Sequence, residues 1–151
     1  ELVLDRTSEP IGYYAAELAV KNALSWFKSS VNFSLQPRSI HCQPVLARVG
    51  MTERQARQND DRLIILRQNF QQLRAANLEG KTTGLCKVIL KRSGKILGAC
   101  ILGEQAEELI YPMTIACQQR LKFGAIANCL PLDRSYSEIY HQLGEQWRHS
   151  N

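Results

Sequence analysis

The chain has 151 residues, 44% of them hydrophobic and 22% charged, proportions that suit one ordinary globular domain with a real core. A formal charge of +5 and a pI near 9.1 would suit an anionic partner, but the basic residues are scattered through mixed polar stretches, so a solvated surface without a nucleic-acid partner is expected. There is no apolar run of roughly 18 residues and no basic-then-apolar leader at Glu1–Asp5, so neither a membrane span nor an export signal is expected, and the setting predicted is cytoplasmic.

In chain order, Ser8 followed by Glu9 and Pro10 reads as a helix start, because serine caps free N–H groups and proline is tolerated in a first turn. Ala15, Leu18, Ala19, Ala23, Trp26 and Phe27 then recur at helical spacing, which predicts a helix over about residues 10 to 28. The polar stretch Ser29 to Pro37 reads as a connector. Ser39 to Cys42 is a short strand that stops before Pro44, and Thr52 caps a short helix through about Arg57, with Glu53 placed to suit the helix dipole. Leu63 to Arg67 is a further strand, Gln71 to Leu78 a weak helix or irregular segment, and Glu79 to Gly84 a turn-rich loop.

The strongest local signal is a hairpin: Leu85 to Leu90 and Ile96 to Leu102 flank Lys91-Arg92-Ser93-Gly94-Lys95. Gly103 to Phe123 then supports a long helix with Ala106, Leu109, Ile110, Met113, Cys117 and Leu121 on one stripe and Gly124 as its stop. Ser135 or Ser137 opens a last helix that runs to about Arg148. This order predicts an α+β fold in which an antiparallel sheet is packed with helices.

The five cysteines, Cys42, Cys86, Cys100, Cys117 and Cys129, contain no Cys-x-x-Cys pair and no zinc-like grouping with His41, His141 and His149. Neither a disulfide framework nor a metal site is expected; Cys86, Cys100 and Cys117 fall in apolar runs, where a thiol behaves as a small hydrophobe. No Gly-x-Gly-x-x-Gly turn, phosphate-binding loop or nucleophile elbow occurs, so no dinucleotide is expected to be held by those means. The chain opens on Glu1, not Met, which leads us to expect a piece of something longer.

Segments spread over nearly the whole chain carry a resemblance. Ala15 to Leu24 is similar to the helix after the last flavin-binding motif of the pyridine nucleotide-disulfide oxidoreductases, the flavoprotein class of dihydrolipoamide dehydrogenase, glutathione reductase and mercuric reductase. Pro44-Val45-Leu46-Ala47-Arg48-Val49-Gly50-Met51-Thr52-Glu53 resembles the block that opens their interface domain. Thr83 to Ile110 resembles their central hairpin and the helix after it, and Ser135-Tyr136-Ser137-Glu138 the tail of their His-Pro-Thr-x-Ser-Glu motif.

The resemblance implies that residues 1–30 end an FAD-binding domain and residues 31–151 form a dimerisation domain. It implies a parent enzyme carrying FAD and NAD(P)H, a homodimer built through this domain, upstream FAD and NAD(P) domains as partners, and no activity or cofactor in this piece alone. It also places Ser8, Glu9, Pro10, Ile11 and Gly12, at the helix start, beside the flavin. Family members that act on dithiols present a histidine across the dimer, oriented by the glutamate that ends the motif, and mercuric reductases have tyrosine there.

Counted back from Glu138, that position is Asp133, followed by Arg134 where the family has proline and Ser135 where it has threonine. Asp133 and Glu138 are thus the candidate acid-base residues. An aspartate with a reference pKa of about 3.9 is poorly matched to a thiol of about 8.5 unless burial or the nearby Glu138 raises it; otherwise Asp133 is a solvated loop carboxylate. The rival expectation is a free-standing basic interaction module derived from this domain.

Overall fold

The computed structural model describes residues 9–26, 35–60 and 62–149. The chain divides into two units, Glu1–Phe33 and Ser34–Asn151. The first contains α1 (Glu9–Leu24), four residues shorter at its carboxyl end than periodicity predicts. Lys21 sits in its last turn, where a cation suits the dipole, and pairs with Glu17 one turn earlier at 2.8 Å. Tyr13, Val20, Leu24 and Trp26 are exposed. Ser8, Phe27 and Lys28 lie outside the described residues.

The second unit runs β1 (Arg38–Ile40), β2 (Leu46–Gly50), α2 (Glu53–Arg57) and β3 (Leu63–Asn69). A 3-10 turn (Phe70–Gln72) and α3 (Arg74–Leu78) lead into the hairpin β4 (Leu85–Lys91) and β5 (Ile96–Leu102). The helices α4 (Ala106–Gln118), α5 (Gly124–Ala127) and α6 (Glu138–His149) complete it. The strands form a five-stranded sheet, in the order β1-β2-β5-β4-β3, and every pairing is antiparallel. The α+β class expected from sequence is the class observed.

Side-chain alternation decides what each face of the sheet meets. Ala47 and Val49 of β2, Ala99 and Ile101 of β5, Cys86 and Val88 of β4 and Leu66 of β3 are buried in one core with Ile110 and Met113 of α4 and Ile139 and Leu143 of α6. Arg48, Cys100, Lys87 and Arg67, their neighbours along the strands, point to the other face. Phe70 anchors the base of the core so tightly that a Cβ on Gly103 would lie 2.4 Å from its ring, and the backbone there has φ +150°. Glycine alone fits that position.

Two expectations need correction. β2 is a strand that sequence reading passed over, because its five residues carry little periodicity and gain their place only from pairing with β1 and β5. The predicted helix over 103 to 123 is α4 alone, and Gly124 opens α5 instead of stopping α4. The stop is Arg120, which takes the left-handed conformation at φ 55°. Leu121 N–H donates to the Ala116 carbonyl at 2.8 Å and Arg120 N–H to that of Cys117 at 3.3 Å, the bond pair of a Schellman cap built without glycine. At the other predicted cap, Thr52 does as expected: its hydroxyl accepts from Gln55 N–H at 3.2 Å while Gln55 Oε1 accepts from Thr52 N–H at 2.9 Å.

Candidate functional site

The segment between α5 and α6 holds both acid-base candidates. Arg134 takes φ 57° and turns the chain, which leaves Asp133 with a side chain 71% exposed. Its carboxylate meets Arg74 Nη1 at 3.6 Å and Arg134 Nε at 3.4 Å. Of the environments open to Asp133 from sequence, burial is therefore not the one observed. Ser135 Oγ donates to the Leu132 carbonyl at 2.8 Å and lies 2.6 Å from Ser137 Oγ, so both hydroxyls tie down the turn that precedes α6. Glu138 opens α6, half-buried, and its Oε1 accepts from Gln142 Nε2 at 3.0 Å. The two carboxylates thus stand on one short segment but answer to different partners.

Behind this segment the packing is firm. Tyr136 is buried against Phe70, with ring centroids 5.9 Å apart, and its hydroxyl donates to Glu79 Oε2 at 2.9 Å. Burial, then the bond to the Glu79 carboxylate, pushes the Tyr136 phenol up to about 12. Tyr140 donates to the Leu109 carbonyl and so ties α6 to α4. Burial raises the Tyr140 phenol well above its ordinary range. Both tyrosines therefore stay neutral donors at physiological pH and act as fasteners.

A second cluster lies on the open face of the sheet, where sequence reading assigned Glu53 only a helix-start role. Its Oε1 receives Arg57 Nη2 at 2.9 Å, and its Oε2 receives Arg67 Nη2 at 2.9 Å and Lys87 Nζ at 3.2 Å. The Arg57 hydrogen bond, with Lys87 and Arg67 beside it, holds the Glu53 carboxyl below its usual range against the opposing effect of burial. Only the spacing of Arg57 was visible in sequence; Lys87 is 34 residues away and arrives through the sheet register.

The thiols are spread out and none is paired. Cys86 and Cys117 are buried, which pushes the Cys117 thiol up to about 11 and that of Cys86 higher still. Among the described residues, no three His, Cys, Asp or Glu side chains gather to hold a metal ion, and no helix is long and apolar enough to cross a membrane. Of the predicted flavin-side residues, Ser8 lies outside the described residues, while Glu9, Pro10, Ile11 and Gly12 form the first turn of α1. Gly12 is exposed, with nothing within 4 Å of where a Cβ would sit.

Compared with known proteins, residues 36–143 match the family model described as the dimerisation domain of pyridine nucleotide-disulphide oxidoreductases. The chain is 29% identical over 128 residues to a dihydrolipoyl dehydrogenase of Chlorobaculum tepidum, covering 84% of this chain and 27% of that protein. It is 30% identical over 115 residues to a mercuric reductase of Bacillus cereus, covering 76% of this chain and 18% of the relative. Among solved structures, the Cu(II) complex of the HOCl-induced flavoprotein disulfide reductase RclA from Escherichia coli superposes with a TM-score of 0.83 at 24% identity, over 91% of this chain and 32% of that one. The chain therefore spans about a third of the length of these proteins or less.

Proposed function

Because this chain belongs to the pyridine nucleotide-disulfide oxidoreductase family and consists mainly of its dimerisation domain, we propose that it builds the homodimer of an FAD-dependent, NAD(P)H-linked, disulfide-reductase-type oxidoreductase of the cytoplasm and is inactive alone. The observation that carries this reading is the match over residues 36–143, which lies within the second folded unit. The free-standing interaction module is not favoured, since a run of scattered charge explains nothing that the family does not.

The exposed apolar side chains support the same reading. Tyr111 and Ile115 stand one turn apart on the outer side of α4, and Leu130 and Leu132, 89% and 80% exposed, precede Asp133. Exposed apolar side chains of this kind suit a subunit contact, and a two-fold axis would bring the same side chains of two copies together. In this reading neither nucleic acid nor membrane is a partner.

Asp133 and Glu138 then stand where the family presents its acid-base pair across the dimer. This chain would offer there a carboxylate engaged by Arg74 and Arg134 in place of an imidazole. At the amino end of α1, Gly12, with nothing within 4 Å of its Cβ position, belongs with Ser8, Glu9, Pro10 and Ile11 to the stretch that would face the flavin in the parent enzyme. When bound, the flavin supplies electron and hydride transfer; the contribution of this chain is the orientation of N–H groups and dipole at the helix start.

Sedimentation equilibrium of the full chain tests the assembly. A reversible monomer-dimer equilibrium in the micromolar range is expected, shifted to monomer by Tyr111→Glu together with Ile115→Glu. A chain that stays monomeric at every concentration would overturn the proposal.

A further inference from the structure

Strand register places Arg38, Arg48, Cys100, Lys87 and Arg67 in one row across β1, β2, β5, β4 and β3, on the sheet face opposite the core. The two ends of this row differ. Lys87 and Arg67 share the Glu53 carboxylate. Arg38 and Arg48 are direct cross-strand partners, both half-buried, and among the described residues no carboxylate pairs with either guanidinium.

Like charges directly opposite each other destabilise an antiparallel pair, and a guanidinium cannot relieve the repulsion by losing its proton. The nearby carboxylates do not relieve it either. Glu53 already holds three cations. Glu107 lines a small recess with Arg38 but makes no ion pair with it, and its carboxylate lies 3.7 Å from His41 Nδ1.

A recess of about 400 Å³ opens beside the two arginines, and Gln36, Gln55, Gln58 and Asn59 line it without any acidic residue. Gln55 commits its Oε1 to Thr52 and keeps its Nε2 hydrogens for another acceptor. Arg48 lies close enough to the sheet centre to oppose, with Lys87, the rise that burial imposes on the Cys100 thiol.

We propose that the Arg38–Arg48 recess binds a phosphate-class dianion, either inorganic phosphate or the phosphoryl group of a small organic phosphate. Two fixed positive charges match two negative ones, and planar guanidinium forks with flanking amide donors suit the many oxygens of a tetrahedral phosphoryl group. A single carboxylate would balance only one of the arginines. The volume lies in the range of small-molecule sites, which leaves space for an organic substituent beyond the phosphoryl group.

Titration calorimetry of the full 151-residue chain at low ionic strength, with inorganic phosphate, phenyl phosphate and acetate as separate probes, tests this. One saturable site is expected for a phosphate probe, with acetate at least about tenfold weaker. Arg38→Gln and Arg48→Gln should each weaken binding about tenfold or more, Arg48→Lys less, and Arg92→Gln in the β4–β5 turn not at all. Tighter binding of phenyl phosphate identifies an organic phosphate as the source, and equal binding identifies free phosphate.

Thermal unfolding gives a second readout that does not need the variants to be equally stable. Phosphate should raise the midpoint of the native sequence but not that of Arg48→Gln, whose midpoint without phosphate should be equal or higher because the repulsion is gone. Non-saturable binding, acetate equal to phosphate, or an Arg92→Gln loss matching that of Arg48→Gln would each overturn the proposal.

Discussion

Replacing Glu53 with Gln keeps the side chain's size and removes the negative charge on which Arg57, Arg67 and Lys87 converge at 2.9, 2.9 and 3.2 Å. Glu53 and Lys87 are only 21% and 28% exposed, so solvent screens that pair less than an ordinary surface pair, whereas Arg57 and Arg67 are about half exposed. Surface-pair values of about 0.5 kcal/mol each for Arg57 and Arg67, with about 1 kcal/mol for Lys87, put the loss at roughly 2 kcal/mol near neutral pH.

The sign of the pH dependence follows from the lowered folded-state pKa of Glu53. A depressed carboxyl contributes stability that is fully present above its unfolded value of about 4.3 and is lost as pH falls through the folded value. Urea unfolding followed by tryptophan fluorescence suits the measurement, because Trp147 stacks edge-on against buried Phe123 with centroids 6.0 Å apart. The native sequence should exceed Glu53→Gln by the same margin at pH 7 and pH 5, with unchanged m-values, and the margin should shrink below about pH 4. A margin under about 0.5 kcal/mol at pH 7, or one that persists undiminished at pH 3, would refute the reasoning.

Arg120→Gly should stabilise the chain by about 0.5–1 kcal/mol in the same assay, because glycine adopts the φ of 55° at the end of α4 without the strain an L side chain carries. Gly98→Ala should cost about 3 kcal/mol or more, since its Cβ would lie 2.1 Å from the Met51 carbonyl oxygen, a backbone atom that cannot swing aside. In thiol labelling of the native chain at pH 8, exposed Cys42 and Cys129 should react first, while buried Cys86 and Cys117 should wait for unfolding. Labelling of Cys117 as fast as that of Cys42 would contradict the burial that pushes its thiol up to about 11.

The β4–β5 hairpin was legible because its strands alternate and its turn residues are local, so the decisive interactions lie within a few residues of one another. β2 was not, because Leu46-Ala47-Arg48-Val49-Gly50 is extended by virtue of two neighbours far away in sequence. The end of α4 misled for a different reason. Glycine is the usual residue for a left-handed cap, so Gly124 drew the boundary, while Arg120 took that conformation at a cost met by the two cap hydrogen bonds.

The candidate sites divide along the same line. Asp133 and Glu138 could be named from a motif in one segment, but that Asp133 lies in solvent between Arg74 and Arg134 depends on a turn and on a helix some sixty residues earlier in the chain. The Arg38–Arg48 pair was invisible for want of β2, since the two residues oppose each other only once the register is known.

That difference also separates the surfaces physically. Tyr111 and Ile115 of α4 and Leu130 and Leu132 are apolar, and the proposed association through them would draw on the hydrophobic effect, which added salt does not screen. The Arg38–Arg48 recess draws on charge, and raising ionic strength shortens the range over which its field acts. Salt should therefore empty the recess while leaving self-association intact, so the two surfaces can be tested in one preparation without a mutation. If salt instead dissolved the dimer as it released the anion, the cationic face of the sheet would itself be part of the subunit contact, and Arg48→Gln would then weaken the dimer where Tyr111→Glu would not.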